Sequence, residues 1–228
     1  DVIFVTSNYS DAYKAVTNDI SNITKQFGDF ATPILFFSDS NNFRKKISPD
    51  YKGHRNRKKP CGYKRVIRDL RINYEVIVMK TLEADDAMGI YATAHPGNMI
   101  VSPDKDMRQI PGKLYNLTDT TYITPEEGAR WHLIQTLAGD QTDGYSGVPG
   151  IGVKRAETLF DKEGYSWQTV LKAFNDKGLT DADALLNARL ARILTLDDYD
   201  TKRQEPILWT PEVSFTIDDG ARLQDASY

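Results

Sequence analysis

The sequence predicts an α/β fold, with a mostly parallel central sheet flanked by helices and a helical C-terminal region. Three observations predict it. Short apolar runs alternate with segments of helical periodicity, which is the pattern of strands joined by helical crossovers. Acidic residues gather where those segments begin or end. Twelve Lys and Arg residues crowd the stretch from Arg44 to Arg71, although the formal charge of all 228 residues is only -3.

In chain order, Val2 to Thr6 reads as a strand. Asp11 to Phe27 reads as a helix, because Ala12, Ala15, Val16, Ile20 and Ile23 recur near the helical period. Pro33 to Ser38 is a buried strand ending at Asp39. The segment Tyr51 to Gly62 has too little apolar content for a core and is expected to project into solvent. Tyr63 to Arg71 is helical, Tyr74 to Met79 is a strand, and Ala84 to Ala94 is a helix whose acidic opening suits the positive end of its dipole. Met99 to Ser102 is a further strand. Thr124, Pro125 and Glu127 form the start of a helix carrying Trp131, Leu133, Ile134 and Leu137. Gly144 to Lys154 reads as a tight hairpin leading into another helix, and Asp181 to Leu196 as a last helix.

Composition narrows the class. With 40% hydrophobic residues the chain can bury a large core. No apolar run approaches the roughly 18 to 20 residues that span a bilayer, and no secretory signal pattern is present, so a soluble intracellular protein with no membrane partner is the expectation. The lone Cys61 has no second cysteine for an internal disulfide or a thiolate metal site.

Chemistry concentrates in eight carboxylates: Asp39, Glu83, Asp85, Asp86, Asp104, Asp106, Asp140 and Asp143. In an open α/β sheet the crevice beyond the carboxyl ends of the strands is where ligands sit, and the first six fall there. Converging carboxylates raise one another's pKa unless cations neutralise them, and hard oxygen ligands favour Mg²⁺ or Mn²⁺. Two such ions about 4 Å apart activate water against a phosphodiester. Singly, each acid also fits a solvated surface or a helix cap. The nearby basic strip suits phosphates, so together they form the electrostatic layout of a nuclease. His54, His95 and His132 have no metalloprotease spacing, and His132 sits in an apolar helical pattern that suits a structural role. No nucleophile triad is apparent, and no Walker loop.

Gly147, Gly150 and Gly152 have another use. They let a hairpin bring backbone N–H groups against a phosphate while Val148 and Ile151 anchor it from below, and Lys154 and Arg155 add charge. A plain turn between helices fits the same residues.

The ordered segments Phe36-Phe37-Ser38-Asp39, Tyr51-Lys52-Gly53-His54-Arg55, Glu83-Ala84-Asp85-Asp86, Ser102-Pro103-Asp104-Lys105-Asp106 and Gly139-Asp140-Gln141-Thr142-Asp143, followed by Gly147-Val148-Pro149-Gly150-Ile151-Gly152, resemble the flap endonuclease and 5′-3′ exonuclease family. Within it the chain is most similar to the gene 6 exonuclease type of T7-like bacteriophages, also through Ala191-Arg192-Ile193-Leu194. The likeness covers most of residues 34–160 and is weaker beyond about 165.

The resemblance implies an α/β metal-dependent nuclease core at 1–143 with a short basic arch at about 50–62. It implies a helical DNA-binding and supporting region at 144–228, with a helix-hairpin-helix-like motif. One metal group would involve Asp39, Glu83, Asp85 and Asp86, and the second Asp104, Asp106, Asp140 and Asp143, some through water. Two Mg²⁺ ions, with Mn²⁺ as substitute, are the implied cofactors, and a monovalent cation at the hairpin is compatible. Lys52 and Arg55 match residues that act on the scissile phosphate. Arg44, Arg57, Lys58, Lys59, Lys154 and Arg155 are the candidate basic DNA contacts, although a solvated charged face fits Lys52, Arg55, Arg57, Lys58 and Lys59 as well, and Tyr51 or Tyr63 would stack on a base or pack inside. The implied substrates are duplex DNA with a 5′ end or flap and RNA–DNA duplexes, in phage replication or primer removal, within the cytoplasm of an infected host.

Two departures stand against the family pattern. Family members carry another metal-binding Asp at the end of their first strand, whereas Val2 to Thr6 runs into Ser7 and Asn8. A chain that begins after the true first strand accounts for this; Asp1 is not assigned the role. Gln135 stands where some relatives place a lysine. An incomplete metal set leaves open an alternative reading, a non-catalytic, structure-specific DNA-binding protein.

Overall fold

A computed structural model of the chain describes residues 9–28, 31–55 and 59–211. The expected strand Val2 to Thr6 lies outside them. Two parallel pairs carry the predicted strands. β1 (Ile34–Phe36) pairs with β2 (Glu75–Ile77), Leu35 opposite Val76, and β3 (Met99–Val101) pairs with β4 (Gly112–Tyr115), Ile100 opposite Leu114. Helix α3 (Tyr63–Asn73) connects β1 to β2, after a single short turn, α2 (Arg44–Ile47). Helix α4 (Ala84–Ala94) connects β2 to β3 and packs against both β1 and β3, so one helix spans the two ladders.

The expectation of one mostly parallel sheet is corrected at the fifth strand. β5 (Thr120–Ile123) returns antiparallel to β4, and the described residues hold separate two- and three-stranded ladders. The cause is local. Asn116 Oδ1 accepts the N–H groups of Thr118 and Asp119, closing a four-residue reversal too short for the crossover that parallel strands need. Two further antiparallel pairs are two residues long: β6 (Gly139–Asp140) with β7 (Tyr145–Ser146), and β8 (Tyr199–Asp200) with β9 (Glu205–Pro206). The expected hairpin region at 144–154 begins in the β6–β7 reversal, whose tip is residues 141–144, and continues through a glycine-rich turn into the next helix.

Helix α1 (Tyr9–Lys25) forms where its period indicated, yet none of its residues is buried. Polar aromatic contacts anchor it instead. The Tyr9 hydroxyl bonds the Asp69 carboxylate, Arg65 stacks 4.0 Å over the Tyr9 ring, and Asn73 Nδ2 donates to the Tyr13 hydroxyl at 2.9 Å.

Helix α5 (Pro125–Ala138) is the central one. Its start is the capping box the sequence spells: Glu127 N–H donates to Thr124 Oγ1 at 3.2 Å and Thr124 N–H to Glu127 Oε2 at 2.8 Å. Trp131, Leu133, Ile134 and Leu137 then pack with Val148, Phe160 and Phe174, joining α5 to α6 (Val153–Glu163), α7 (Trp167–Asn175) and α8 (Asp181–Ala191). Helix α7 was not expected; its signal was Ser166, whose Oγ accepts the Thr169 N–H at 3.2 Å. After α8 the chain re-enters the α/β part. Ile193 joins the core of Ile100, Met107, Ile110, Leu114 and Ile123, and Leu194 that of Phe43, Leu82 and Ile90.

Candidate active site

Six of the eight singled-out carboxylates line one cavity of about 260 Å³: Glu83, Asp85, Asp104, Asp106, Asp140 and Asp143. Secondary structure aims them. Glu83 and Asp85 stand at the start of α4, and Asp104 and Asp106 come after β3, where Asp104 Oδ1 accepts the Asp106 N–H at 2.9 Å. Asp140 ends β6, and Asp143 lies in the reversal to β7. There the Thr142 N–H and hydroxyl donate to Asp140 Oδ1 at 2.7 and 2.6 Å.

One wall of the cavity is neutralised. Lys52 Nζ lies 2.5 Å from Glu83 Oε1 and 3.4 Å from Asp143 Oδ2; Arg55 Nη2 lies 2.5 Å from Asp143 Oδ1. The Tyr51 hydroxyl reaches both acids, at 2.9 and 3.0 Å, with one proton to donate. Burial works against the Glu83 charge, but Arg44 and Lys52 outweigh it and hold its carboxyl below the usual range. Lys52 itself takes a positive φ of 54°, and its N–H donates to the Asp143 carbonyl at 2.7 Å, so the tip of the β6–β7 hairpin fixes the strained residue in place.

Among the described residues, Asp85 and Asp106 form no ion pair. Burial, then the charges of Asp104, Asp86 and Glu83, push the Asp85 carboxyl up to about 7. Burial and Asp104 push Asp106 up to about 6 against the opposing pull of Lys105. Lys105, which no motif singles out, lies 3.6 Å from Asp140. Asp140 is nevertheless lowered: burial opposes, and the Thr142 hydrogen bonds win.

Two expected site residues cancel each other in the interior. Asp86 is 0% exposed and Arg44 1%. Arg44 Nη1 and Nη2 grip the Asp86 oxygens at 2.7 and 2.8 Å, and the Glu83 and Leu194 N–H groups donate to the same carboxylate. Arg44 is thus removed from any DNA face and Asp86 from the metal set. The spacing held the clue: Glu83 and Asp86 stand in capping-box positions, and adjacent helical residues Asp85 and Asp86 diverge by about 100°.

Asp39 also leaves the set. It lines a second cleft, of about 630 Å³, with Phe37, Lys59, Tyr63, Lys64 and Arg71. Its oxygens accept the Thr81 and Ser40 N–H groups at 2.8 and 2.7 Å, which hold its carboxyl low. Ala84 lines this cleft while Glu83 and Asp85 line the first, so the opening turn of α4 is the ridge between them. Lys59 Nζ sits 4.3 Å over the exposed Tyr63 ring, and Tyr51 is buried rather than free to stack. Arg57 and Lys58 lie outside the described residues.

At the turn before α6, Gly147 is required sterically, since a Cβ there would lie 2.2 Å from the Leu137 carbonyl oxygen. Gly150 has a φ of +81°, whereas Gly152 faces open space. Val148 is buried, Ile151 packs beside it, and Lys154 and Arg155 are exposed on the first turn of α6. His132 is structural: its Nε2–H donates to the Ala188 carbonyl at 2.8 Å, and burial pushes its pKa down to about 3.

Among the described residues, no three carboxylates converge closely enough to clasp an ion by themselves. The donor set still fits a hard divalent cation held partly through water, because its ligands are all oxygen and two of its acids carry repulsion that a cation relieves. No described helix is long and apolar enough to cross a membrane.

A family model described as the 5′-3′ exonuclease N-terminal resolvase-like domain matches residues 5–130. The chain is 33% identical to the exodeoxyribonuclease of Enterobacteria phage T3 and 32% identical to the exonuclease of Escherichia phage T7, each alignment covering 78% of this chain and 73% of the relative. A phage T5 flap endonuclease solved in complex with DNA and metal ions shares the fold with a TM-score of 0.62, at 15% identity over 78% of this chain and 80% of that one.

Proposed function

This chain belongs to the 5′-3′ exonuclease family, and from that premise we propose that it hydrolyses phosphodiester bonds in DNA from 5′ ends or 5′ flaps with divalent metal ions. The observation that carries this reading is the cavity itself, in which six carboxylates meet Lys52, Arg55 and Lys105. Glu83 and Asp85 on the α4 side, and Asp104, Asp106, Asp140 and Asp143 on the other, are the residues that would hold the ions. Two ions, with Mg²⁺ as the natural one and Mn²⁺ as a substitute, match this division. A divalent ion bound there activates water and stabilises charge on the leaving oxygen.

The remaining chemistry belongs to the chain. Lys52 and Arg55 exchange their carboxylate partners for the scissile phosphate and stabilise its developing charge. Tyr51, buried beneath them, gives its one proton to whichever of Glu83 and Asp143 loses its cation. The stretch from Lys52 to Tyr63 starts at the first cleft and ends at the second, so an unpaired 5′ strand leaving the cavity meets Lys59, Tyr63, Lys64 and Arg71. That is the arch reading. Gly147 to Gly152, with Lys154 and Arg155, grip the duplex backbone in a sequence-independent way as the hairpin of a helix-hairpin-helix-like motif, where a monovalent cation would also sit. RNA–DNA duplexes are substrates on the same logic, since these contacts read phosphates.

The test is cleavage of duplexes labelled at either end, with a recessed 5′ end, a 5′ flap, or RNA in one strand, in Mg²⁺, Mn²⁺ or EDTA. Products that require metal and vanish in Asp104→Ala are expected. Tight binding without any cleavage contradicts the proposal and supports the binding-only alternative.

A further inference from the structure

Behind Asp106 runs a buried polar chain that does not line the cavity. Gln109 and Gln135 are 1% and 4% exposed, and Gln109 Nε2 donates to Gln135 Oε1 at 2.6 Å. A carboxamide can usually be turned end for end on heavy-atom positions alone, but here its surroundings decide. The Ile193 N–H, only a donor, lies 3.0 Å from Gln109 Oε1; the Ala191 carbonyl, only an acceptor, lies 2.6 Å from Gln109 Nε2. Backbone polarity thus orients Gln109. Gln109 in turn claims Gln135 Oε1 as an acceptor, which leaves Gln135 Nε2 to face Asp106 Oδ1 at 2.5 Å.

A second buried pair grips the same backbone. Arg44 donates to the Leu190 and Arg192 carbonyls, and the Leu194 N–H donates to Asp86. Every residue from Leu190 to Leu194 therefore has a backbone group held by one pair or the other. Leu190, Ala191 and Ile193 also line the cavity.

We propose that Gln135 is a positioning residue for Asp106, and that the segment Ala191–Ile193 sets its direction through Gln109. The inference rests on the metal-dependent reading above. A neutral donor suits the task. It fixes one Asp106 oxygen while adding no positive charge to the wall where a cation must bind, as a lysine at this position would. Residues far along the chain thereby become part of the active-site frame, and Gln135 links them to the acid.

Two variants test it. Gln135→Met keeps the length and removes the donor; Gln135→Asn keeps an amide too short to reach Asp106. Mn²⁺ affinity, read from the loss of the free-ion paramagnetic resonance signal, is expected to fall about 10- to 100-fold in both, as for other residues that orient metal-binding side chains. The metal-free thermal midpoint should fall by a few degrees in both, because buried Gln109 Nε2 loses Gln135 Oε1 as a partner, and excess Mn²⁺ should restore most of the cleavage rate. Unchanged Mn²⁺ affinity in either folded variant overturns the proposal, whatever happens to the midpoint. No Mn²⁺ binding by the unsubstituted protein is a different failure, one that overturns the metal reading and this proposal with it.

Discussion

The two walls of the cavity are built from the same kind of side chain and differ in what surrounds it. Glu83 and Asp143 meet Lys52, Arg55 and the Tyr51 hydroxyl within 3.4 Å. Burial first, and then neighbouring acids, push the Asp85 and Asp106 carboxyls up to about 7 and about 6. The difference assigns work. On the proposed reading, Asp85 and Asp106 carry a charge deficit that a divalent cation would fill, and Lys52 and Arg55 stand ready to leave Glu83 and Asp143 for a phosphate. Asp86 marks the other limit, a carboxylate so fully paired with Arg44 that it is frame rather than site.

The largest expected effect comes from the uncompensated wall. Asp85→Asn should lower metal-dependent cleavage by about 10³-fold, the rate equivalent of the several kcal/mol that metal stabilisation supplies; end-labelled product gels would measure it. A fall of less than about tenfold would break the contrast between the walls.

Arg44→Met sharpens the distinction between frame and site. It leaves Asp86 charged, buried and unpaired, which costs about 3–5 kcal/mol. The thermal midpoint should drop by about 10 °C. Adding Asp86→Leu should recover much of it, since an apolar pair replaces a buried ion pair at little cost. Loss of activity with no loss of stability in the single variant would return Arg44 to the substrate face.

On the neutralised wall, Lys52→Met should reduce kcat by about 10²-fold while Mn²⁺ affinity holds or rises, because a competing cation is gone. Weaker Mn²⁺ binding in that variant would mean that Lys52 supports the metal site instead.

The smallest effect is a pH control outside the cavity. His132 refuses a proton when folded but accepts one near pH 6.5 when unfolded. Its contribution is complete above about 6.5 and is lost as pH falls toward about 3, by about 1.4 kcal/mol per pH unit. Chemical denaturation of the protein and of His132→Phe from pH 7 to pH 5 would show that slope flattened in the variant. Identical slopes would mean that the histidine titrates alike in both states.

Much of this is legible in the sequence. The strands at Ile34, Glu75 and Met99 and helices α4 and α5 are marked by apolar runs and caps, which act over a few residues. Helix α7 and the β4–β5 hairpin have local signals too, in Ser166 and in Asn116 to Asp119, but these are short polar signals without an apolar run to flag them. Burial of Arg44 is not local. It needs Leu190 and Arg192, almost 150 positions away, to supply carbonyls. For the same reason a count of acids could not separate Asp85 from Asp86, nor show that Asp39 faces a different cleft. Gln135 stands out in the sequence only as a missing lysine, and its partners Asp106 and Gln109 give it a role.

The most direct test is a count of bound Mn²⁺ by paramagnetic resonance in the unsubstituted protein, in Asp85→Asn and in Lys52→Met. Binding is expected in the first, fewer bound ions in the second and an undiminished count in the third. A count unchanged by Asp85→Asn, or lowered by Lys52→Met, would contradict the assignment of Asp85 to metal and Lys52 to phosphate.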